Sequence, residues 1–363
     1  MEQLHLDLGE KAYDIIFEQD FARLPDCLVA IQAPQKLLLV TDSTVDGLYG
    51  RAVLKMLRQN GYDTAGFVFP AGEAQKQMQT VLDICEACIA HQMDRNSMII
   101  ALGGGVAGDM AGFAAAIYMR GIRYVQVPTT LLSQSDSSVG GKTAIDFADG
   151  KNILGAFHQP KLVYINVSTL KTLPNREFIS GMGEVIKHGI IRDASFFAYL
   201  EQNHDAIAAL EPKTLISMAK TNCGIKAEVV MQDEFENGLR SILNFGHTIG
   251  HAVESYKGYT LSHGECVGLG MLAASWIARG RGLLPNADFT RILAVLSMYG
   301  FPMKTALNDK NRVLDLMQKD KKKAEGKLKF ILPASIGTVI QTRDVTTAEI
   351  LGALEFISLG GTV

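Results

Sequence analysis

Five of the eight histidines in this 363-residue chain fall between residues 188 and 263, beside residues suited to metal chemistry. "NFGHTIGH" sets His247 and His251 four apart, on one face of a helix. This is the histidine spacing of a zinc-binding helix, without its neighbouring catalytic glutamate. "LSHGE" adds His263, and "GMGEVIKHG" adds Glu184, Lys187 and His188 on adjacent turns. Two imidazoles, one carboxylate and an open position make the usual form of a catalytic zinc site. A lone histidine is more often a satisfied core or surface residue, but several in one helical region, each beside glycine, favour a metal. Spacing alone leaves the ligands to be chosen from His188, His247, His251 and His263, and periodicity favours the His247/His251 pair.

A second group suits phosphate. "ALGGGVAGDMAG" at 101–112 contains Gly103-x-Gly105-x-x-Gly108 after an apolar run. The pattern is weak by itself. It follows the third strand-like segment, not the first, and no acid lies about 20 residues on, near residue 128. Asp42, at the end of the first strand segment, is a substitute for the ribose-binding acid. The plain alternative is a tight β-α turn with close packing. On the phosphate reading, Gly104, Gly105 and Val106 offer backbone N–H groups at a helix start, and Asp109 suits a hydroxyl better than a phosphate. A third group is cationic: Lys142, Lys151 and Asn152 among glycines, Arg120 and Arg123 upstream, and Lys226, Arg240 and the lysine-rich run 319–329 downstream. A lysine run is usually a solvated face, but lysine beside glycine in apolar surroundings suits phosphate or carboxylate.

These residues need elements to carry them. "KLLLVTDST" reads as a buried parallel strand, and strand and helix signals then alternate to "RYVQVPTT". That rhythm predicts an α/β domain with a mostly parallel, Rossmann-like sheet. Its ligands would sit at the carboxyl ends of strands, where Asp42, Glu73, the glycine turn, Thr129 and Thr130 fall. Beyond about residue 175 the segments have helical periodicity, with strand character only in "KLKFILPASIGTVIQT". The expected division is an NAD-binding α/β domain over 1–175 and a mainly α-helical metal- and substrate-binding domain over 176–363, closely packed around a shared cleft.

Bulk properties exclude some roles. A net charge of −3, with 47% hydrophobic and 20% charged residues, gives no reason to expect nucleic acid or membrane as partner. Residues 98–119 are apolar enough to cross a bilayer, but Asp109 and five glycines favour a buried strand, turn and helix instead. Five cysteines and an N-terminus without a secretory signal suggest a reducing cytoplasm. Cys85-x-x-Cys88 has no second pair or histidine cluster, so small core thiols on an amphipathic helix are expected there.

Seven stretches carry a resemblance: "PAGEAQK", "GGGVAGDMAGFAAAIYMRG", "VPTTLLSQSDSSVGGKTAID", "KNILGAFHQP", "GMGEVIKHG", "LNFGHTIGHAVE" and "HGECVGLGM". In that order they resemble the 3-dehydroquinate synthases, sugar-phosphate cyclases related in fold to the glycerol dehydrogenase-like enzymes. Asp146 departs from the asparagine of many members. The resemblance implies a homodimer that uses NAD and Zn2+ or Co2+ to convert 3-deoxy-D-arabino-heptulosonate 7-phosphate to 3-dehydroquinate and phosphate. It implies Glu184, His247 and His263 as metal ligands. For NAD it implies Asp42, Glu73, Lys76, Gly104, Gly105, Val106, Asp109, Thr129, Thr130, Lys142, Lys151, Thr169 and Thr172. For substrate it implies Arg120 (reaching across the dimer), Asp136, Lys142, Asn152, Lys187, Lys226, Arg240, Asn244 and His251, joined by Lys321 or Lys322. The competing readings are another sugar-phosphate cyclase, a metal-dependent polyol dehydrogenase, and a non-catalytic NAD sensor.

Overall fold

The computed structural model describes residues 2–148, 150–236, 238–323 and 328–360, without the side chains of 319–323. The chain forms two compact units. The first is Met1–Leu173 with Leu210–Phe235, and the second is Pro174–Ala209 with Glu236–Val363.

The first unit is built on strands β1 (Glu2–Leu6), β2 (Tyr13–Glu18), β3 (Lys36–Asp42), β4 (Asp63–Phe69), β5 (Met98–Gly103), β6 (Arg123–Pro128), β7 (Lys142–Phe147), β8 (Gly150–Phe157) and β9 (Leu162–Asn166). Seven of them form one sheet in the order β1-β2-β9-β6-β5-β3-β4. Only the β1–β2 pair is antiparallel. Alternate residues of the apolar run in β3 serve opposite faces. Leu38 and Val40, with Ile99 and Ala101 of β5, pack against Ile84 and Cys88 of helix Met78–Ala90 and Met110 and Ala114 of helix Gly105–Ile117. Leu37 and Leu39, with Ile100 and Leu102, pack against Leu24 and Leu28 of helix Leu24–Ala30 and Val53 and Leu57 of helix Arg51–Gln59. Each fully buried Leu, Ile, Val or Met contributes about 2 kcal/mol, so both faces of the sheet are held by core packing. The expected doubly covered parallel sheet is present, and 98–119 is a buried strand, turn and helix. Cys88 belongs to the core and all five cysteines are free thiols. Burial pushes the Cys88 thiol up to about 12.

Three features of this unit lie outside the sequence reading. The chain opens with the edge strand β1 and its antiparallel partner β2. β7 and β8 form an antiparallel hairpin whose register breaks between Ile145 and Phe147. Helix Pro212–Gln232 packs on β1 and β2, so the single boundary near residue 175 does not hold for 210–235. Its inner face explains this. Asn222 Nδ2 donates to the Ser135 carbonyl at 2.7 Å, and Cys223 Sγ to the Gln134 carbonyl at 3.3 Å. The helical periodicity of that segment gives its helix but not the surface that covers it.

The second unit is mainly helical, with one hairpin of β10 (Phe330–Ser335) and β11 (Thr338–Thr342). No helix among the described residues is long and apolar enough to cross a membrane. Its centre is helix His263–Gly280, which packs against helices Asn175–Arg192 and His247–Tyr256. Glycine permits this approach. A Cβ on Gly264 would stand 2.0 Å from the Ser180 carbonyl oxygen, and one on Gly270 1.8 Å from that of Gly246. Gly246 itself has φ +80° and enters helix His247–Tyr256 with Val267 and Met271 against it.

Gly270→Ala should therefore cost about 1–3 kcal/mol, since the obstacle is backbone and cannot rotate away. Gly280→Ala, on the same helix with nothing within 4 Å of a new Cβ, should be neutral or slightly stabilising. Thermal melts of both variants check this; equal melting temperatures would remove the packing argument.

Candidate active site

In the first unit the candidate residues gather at the carboxyl edge of the sheet. From β3 the chain crosses to β4 on one side and then to β5 on the other, so the order reverses between β3 and β5. Open α/β sheets bind ligands at such a reversal. Asp42 ends β3, and its Oδ1 accepts from the Thr44 and Val45 N–H groups at 2.8 and 3.0 Å. Gly104 caps helix Gly105–Ile117, whose first turn has no side-chain cap among the described residues. The glycine turn is closely packed and also opens a helix. A Cβ on Gly103 would lie 2.7 Å from Ala107 Cβ, and one on Gly108 2.6 Å from Gln126 Oε1, which is close packing. Gly104 and Gly105 lie against Thr130 and Ser137 and present their N–H groups at the positive end of a 13-residue helix.

The threonines fall around this edge. Thr129 N–H donates to the Gly103 carbonyl at 2.9 Å, and Thr130 Oγ1 lies 2.9 Å from Ser133 Oγ. Thr169 and Thr172 follow β9, and Thr172 Oγ1 bonds the Tyr49 hydroxyl. Gln134, which the sequence reading did not single out, joins these ends. Its buried amide donates to the carbonyls of Pro128 and Asn166 at 3.2 and 3.1 Å and to Thr169 Oγ1 at 3.0 Å.

Lys76 is buried and joins two candidates. Its Nζ lies 2.6 Å from Asp109 Oδ2 and 2.6 Å from Asn152 Oδ1. Asn152 has φ +55°. Its N–H donates to Asp146 Oδ1 at 2.8 Å, and the Asp146 N–H donates to the Lys76 carbonyl at 2.9 Å. Asp146 thus braces Asn152 from the irregular position of the hairpin, a function that its place among the motifs does not signal. Lys142 and Lys151 are exposed on the hairpin, Glu73 is exposed after β4, and Arg120 is exposed at φ +68° after the glycine-rich helix. Lys226, from helix Pro212–Gln232, is 2.7 Å from Asp136 Oδ1.

In the second unit a buried acid meets histidines from two other elements. Glu184 sits in the middle of helix Asn175–Arg192 and is 1% exposed. Lys187, one turn on, is equally buried and bonds Glu184 Oε2. Oε1 has no hydrogen-bond partner among the described residues. It faces His247 Nε2 and His263 Nε2, each at 3.5 Å. A tetrahedral ion with bonds of about 2.1 Å holds its donors about 3.4 Å apart. Both distances from Oε1 suit donors that share one divalent ion, and the orphaned Oε1 is the acceptor such an ion would satisfy. His263 owes its place to the capping box of "LSHGE": Ser262 N–H donates to Glu265 Oε2 at 2.6 Å and Glu265 N–H to Ser262 Oγ at 3.3 Å.

His251, one turn beyond His247, also belongs to the cluster; donor atoms of His247, His251 and His263 lie within 4.8 Å of one another. The surrounding protein and the neighbouring imidazoles lower the His251 pKa to about 4, although part of the ring is exposed. Burial also opposes charge on Glu184 and His263, but the attraction of their oppositely charged neighbours prevails. Lys187 and His247 help to hold Glu184 well below the usual carboxylate range, and Glu184 and Glu254 raise His263 to about 9. Glu254 Oε2 lies 3.4 Å from His263 Nδ1. It was legible at seven residues after His247, the next place on the same helix face. His188 is wholly buried one turn past Glu184. Arg240 is buried, and Asn244 Nδ2 donates to Glu236 Oε1 at 2.9 Å. Lys321 and Lys322 fall in helix Lys310–Lys323, but their side chains lie outside the described residues.

Residues 66–180 match the family model of the 3-dehydroquinate synthase N-terminal region, and residues 181–323 that of the C-terminal region. The chain is 46% identical over 358 residues to a 3-dehydroquinate synthase of Desulforamulus reducens, covering 98% of this chain and 99% of the relative. Among solved structures it resembles a 2-epi-5-epi-valiolone synthase of Streptomyces hygroscopicus subsp. jinggangensis with NAD+ and Zn2+ bound. That match has 30% identity and a TM-score of 0.87, over 94% of this chain and 95% of the other. It also resembles a 2-deoxy-scyllo-inosose synthase complexed with carbaglucose-6-phosphate, NAD+ and Co2+, at 25% identity and TM-score 0.84, over 97% and 99% of the two chains.

Asp109 gives this arrangement a pH signature. Burial raises its carboxyl to about 6 despite the opposing pull of Lys76. A group whose pKa is raised by folding stabilises the fold fully below its unfolded value and loses that contribution as pH rises through the folded one. The stability of the wild type relative to Asp109→Asn should therefore increase as pH falls from 7 towards 4. Denaturant titrations across that range check the sign, and a flat difference would contradict it.

Proposed function

As the chain belongs to the 3-dehydroquinate synthase family, we propose that it converts 3-deoxy-D-arabino-heptulosonate 7-phosphate into 3-dehydroquinate and inorganic phosphate, with NAD and one zinc or cobalt ion. The observation that carries the reading is the buried Oε1 of Glu184 facing the Nε2 atoms of His247 and His263. The NAD+ with Zn2+ or Co2+ in the two solved cyclases supports the cofactors.

When bound, the cofactors would supply a hydride acceptor and donor for C5 and a Lewis acid that lowers the pKa of the C5 hydroxyl. The chain's own residues bind and orient. Gly104, Gly105 and Val106 offer N–H groups to the pyrophosphate, and Asp42 takes a ribose hydroxyl. Glu73, Lys76, Asp109, Thr129, Thr130, Lys142, Lys151, Thr169 and Thr172 complete the nucleotide contacts. Lys142, Asn152, His251 and Arg120 hold the substrate phosphate. Lys226 and Arg240 pair with its carboxylate, while Asp136, Lys187 and Asn244 position the hydroxyls. The departing phosphate is itself basic enough to take the C6 proton, so no protein base is assigned to that step. Because the hydride taken from C5 would be given back to the same carbon, the conversion, completed by ring opening and aldol closure, would involve no net oxidation. We assign the active form to a homodimer, in which the exposed Arg120 serves the partner's substrate, and the setting to a reducing cytoplasm that suits the free cysteines.

The test is to incubate zinc-loaded protein with the heptulosonate phosphate and catalytic NAD and to follow phosphate and dehydroquinate together. Both should appear in equal amounts without NADH build-up. Steady NADH from a simple polyol without phosphate release would favour a dehydrogenase. Turnover of a phosphosugar lacking the carboxylate, with none of the heptulosonate, would favour another cyclase. Arg240→Ala should lower kcat/KM about 10²-fold or more; a loss under about threefold would refute the carboxylate assignment. Glu184→Gln should abolish stoichiometric zinc uptake, measured by mass spectrometry of dialysed protein. Full retention of zinc would remove the donor set.

A further inference from the structure

Glu254 takes no part in the reading above, yet it is 6% exposed and lies beside the donor set. A carboxylate buried to this degree is costly unless it is hydrogen-bonded. Its Oε2 is 3.4 Å from His263 Nδ1, the ring nitrogen opposite the one that faces Glu184. His247 has a corresponding arrangement with a weaker partner: its Nδ1 is 3.0 Å from the Phe245 carbonyl oxygen. Each imidazole thus has its outer nitrogen engaged and its inner nitrogen directed at Glu184 Oε1. A ring whose Nδ1–H is donated outward has the Nε2 lone pair left for a cation, and an anionic acceptor makes that lone pair more basic.

We infer that Glu254 is a positioning residue that fixes His263 in the Nδ1–H tautomer and strengthens its Nε2 as a donor to a divalent ion. The inference rests on the proposed donor set of Glu184, His247 and His263. It makes that set unequal, with a carboxylate behind one imidazole and a neutral carbonyl behind the other. A structural role alone would account for the burial of Glu254, but not for the alignment of its oxygen with the outer nitrogen of a candidate ligand.

The test uses the full chain and four proteins: wild type, Glu254→Gln, Glu254→Asp and Glu184→Gln. Zinc affinity is measured by competition with a chromogenic chelator, the Co2+-loaded forms by visible absorption, and the metal-free forms by thermal melting. Glu254→Gln should bind zinc about 10- to 100-fold more weakly than wild type, shift the Co2+ bands, and melt within a few degrees of wild type when metal-free. Glu254→Asp retains the charge with a shorter reach and should fall between the two; it decides the matter if the Gln variant does not fold. Zinc affinities of both variants within threefold of wild type, with an unchanged Co2+ spectrum, would overturn the inference while leaving the donor set intact. If instead wild type takes up no stoichiometric zinc, or Glu184→Gln binds it as tightly, the donor set itself falls and the inference with it.

Discussion

The second unit depends on backbone meeting backbone. Three helices approach so closely that a methyl group at Gly264 or Gly270 would overlap a carbonyl oxygen. This closeness lets Glu184, from the middle of one helix, share a small space with His247 and His263 at the starts of two others. Separated helices would leave the buried carboxylate of Glu184 without the imidazoles that face it. The chemistry of the cluster is therefore set by residues with no side chain, which hold the spacing, as much as by those that carry donors.

The first unit reaches its arrangement by a different rule. A sheet wound in both directions leaves a gap in helix coverage where the order reverses, and the chain places an acid on one side of that gap and a bare helix start on the other. Small hydroxyl residues and the Gln134 amide tie the neighbouring strand ends together. Lys76 links Asp109 to the hairpin residue Asn152, so a nucleotide-side and a substrate-side candidate answer to the same ammonium.

Much of this was legible in the sequence, for identifiable reasons. The apolar runs of β3 and β5 are buried on both faces, and runs of that kind have few other solutions. The β7–β8 hairpin was not legible, because only Ile145 of its large apolar side chains is fully buried while Phe147, Ile153 and Phe157 are exposed, so no clean alternation marks it. His247 and His251 share a helix face as their spacing requires, but local spacing is silent on which imidazole faces an acid some sixty residues earlier in the chain; that depends on tertiary packing through glycine. Asp146 acts through other residues and stands in no pattern that composition or periodicity would single out; Glu254 shares the helix face of His247 and His251, but that spacing does not give its partner, His263, on another helix.

The return of helix Pro212–Gln232 to the first unit bears on how the molecule is made. The strands of the large sheet are all synthesised by residue 166. The cover for β1 and β2 arrives only after the chain has passed through the segment bearing Glu184 and Lys187. A nascent chain that ended before residue 210 would display an open sheet flank, so assembly of the first unit waits on translation of part of the second.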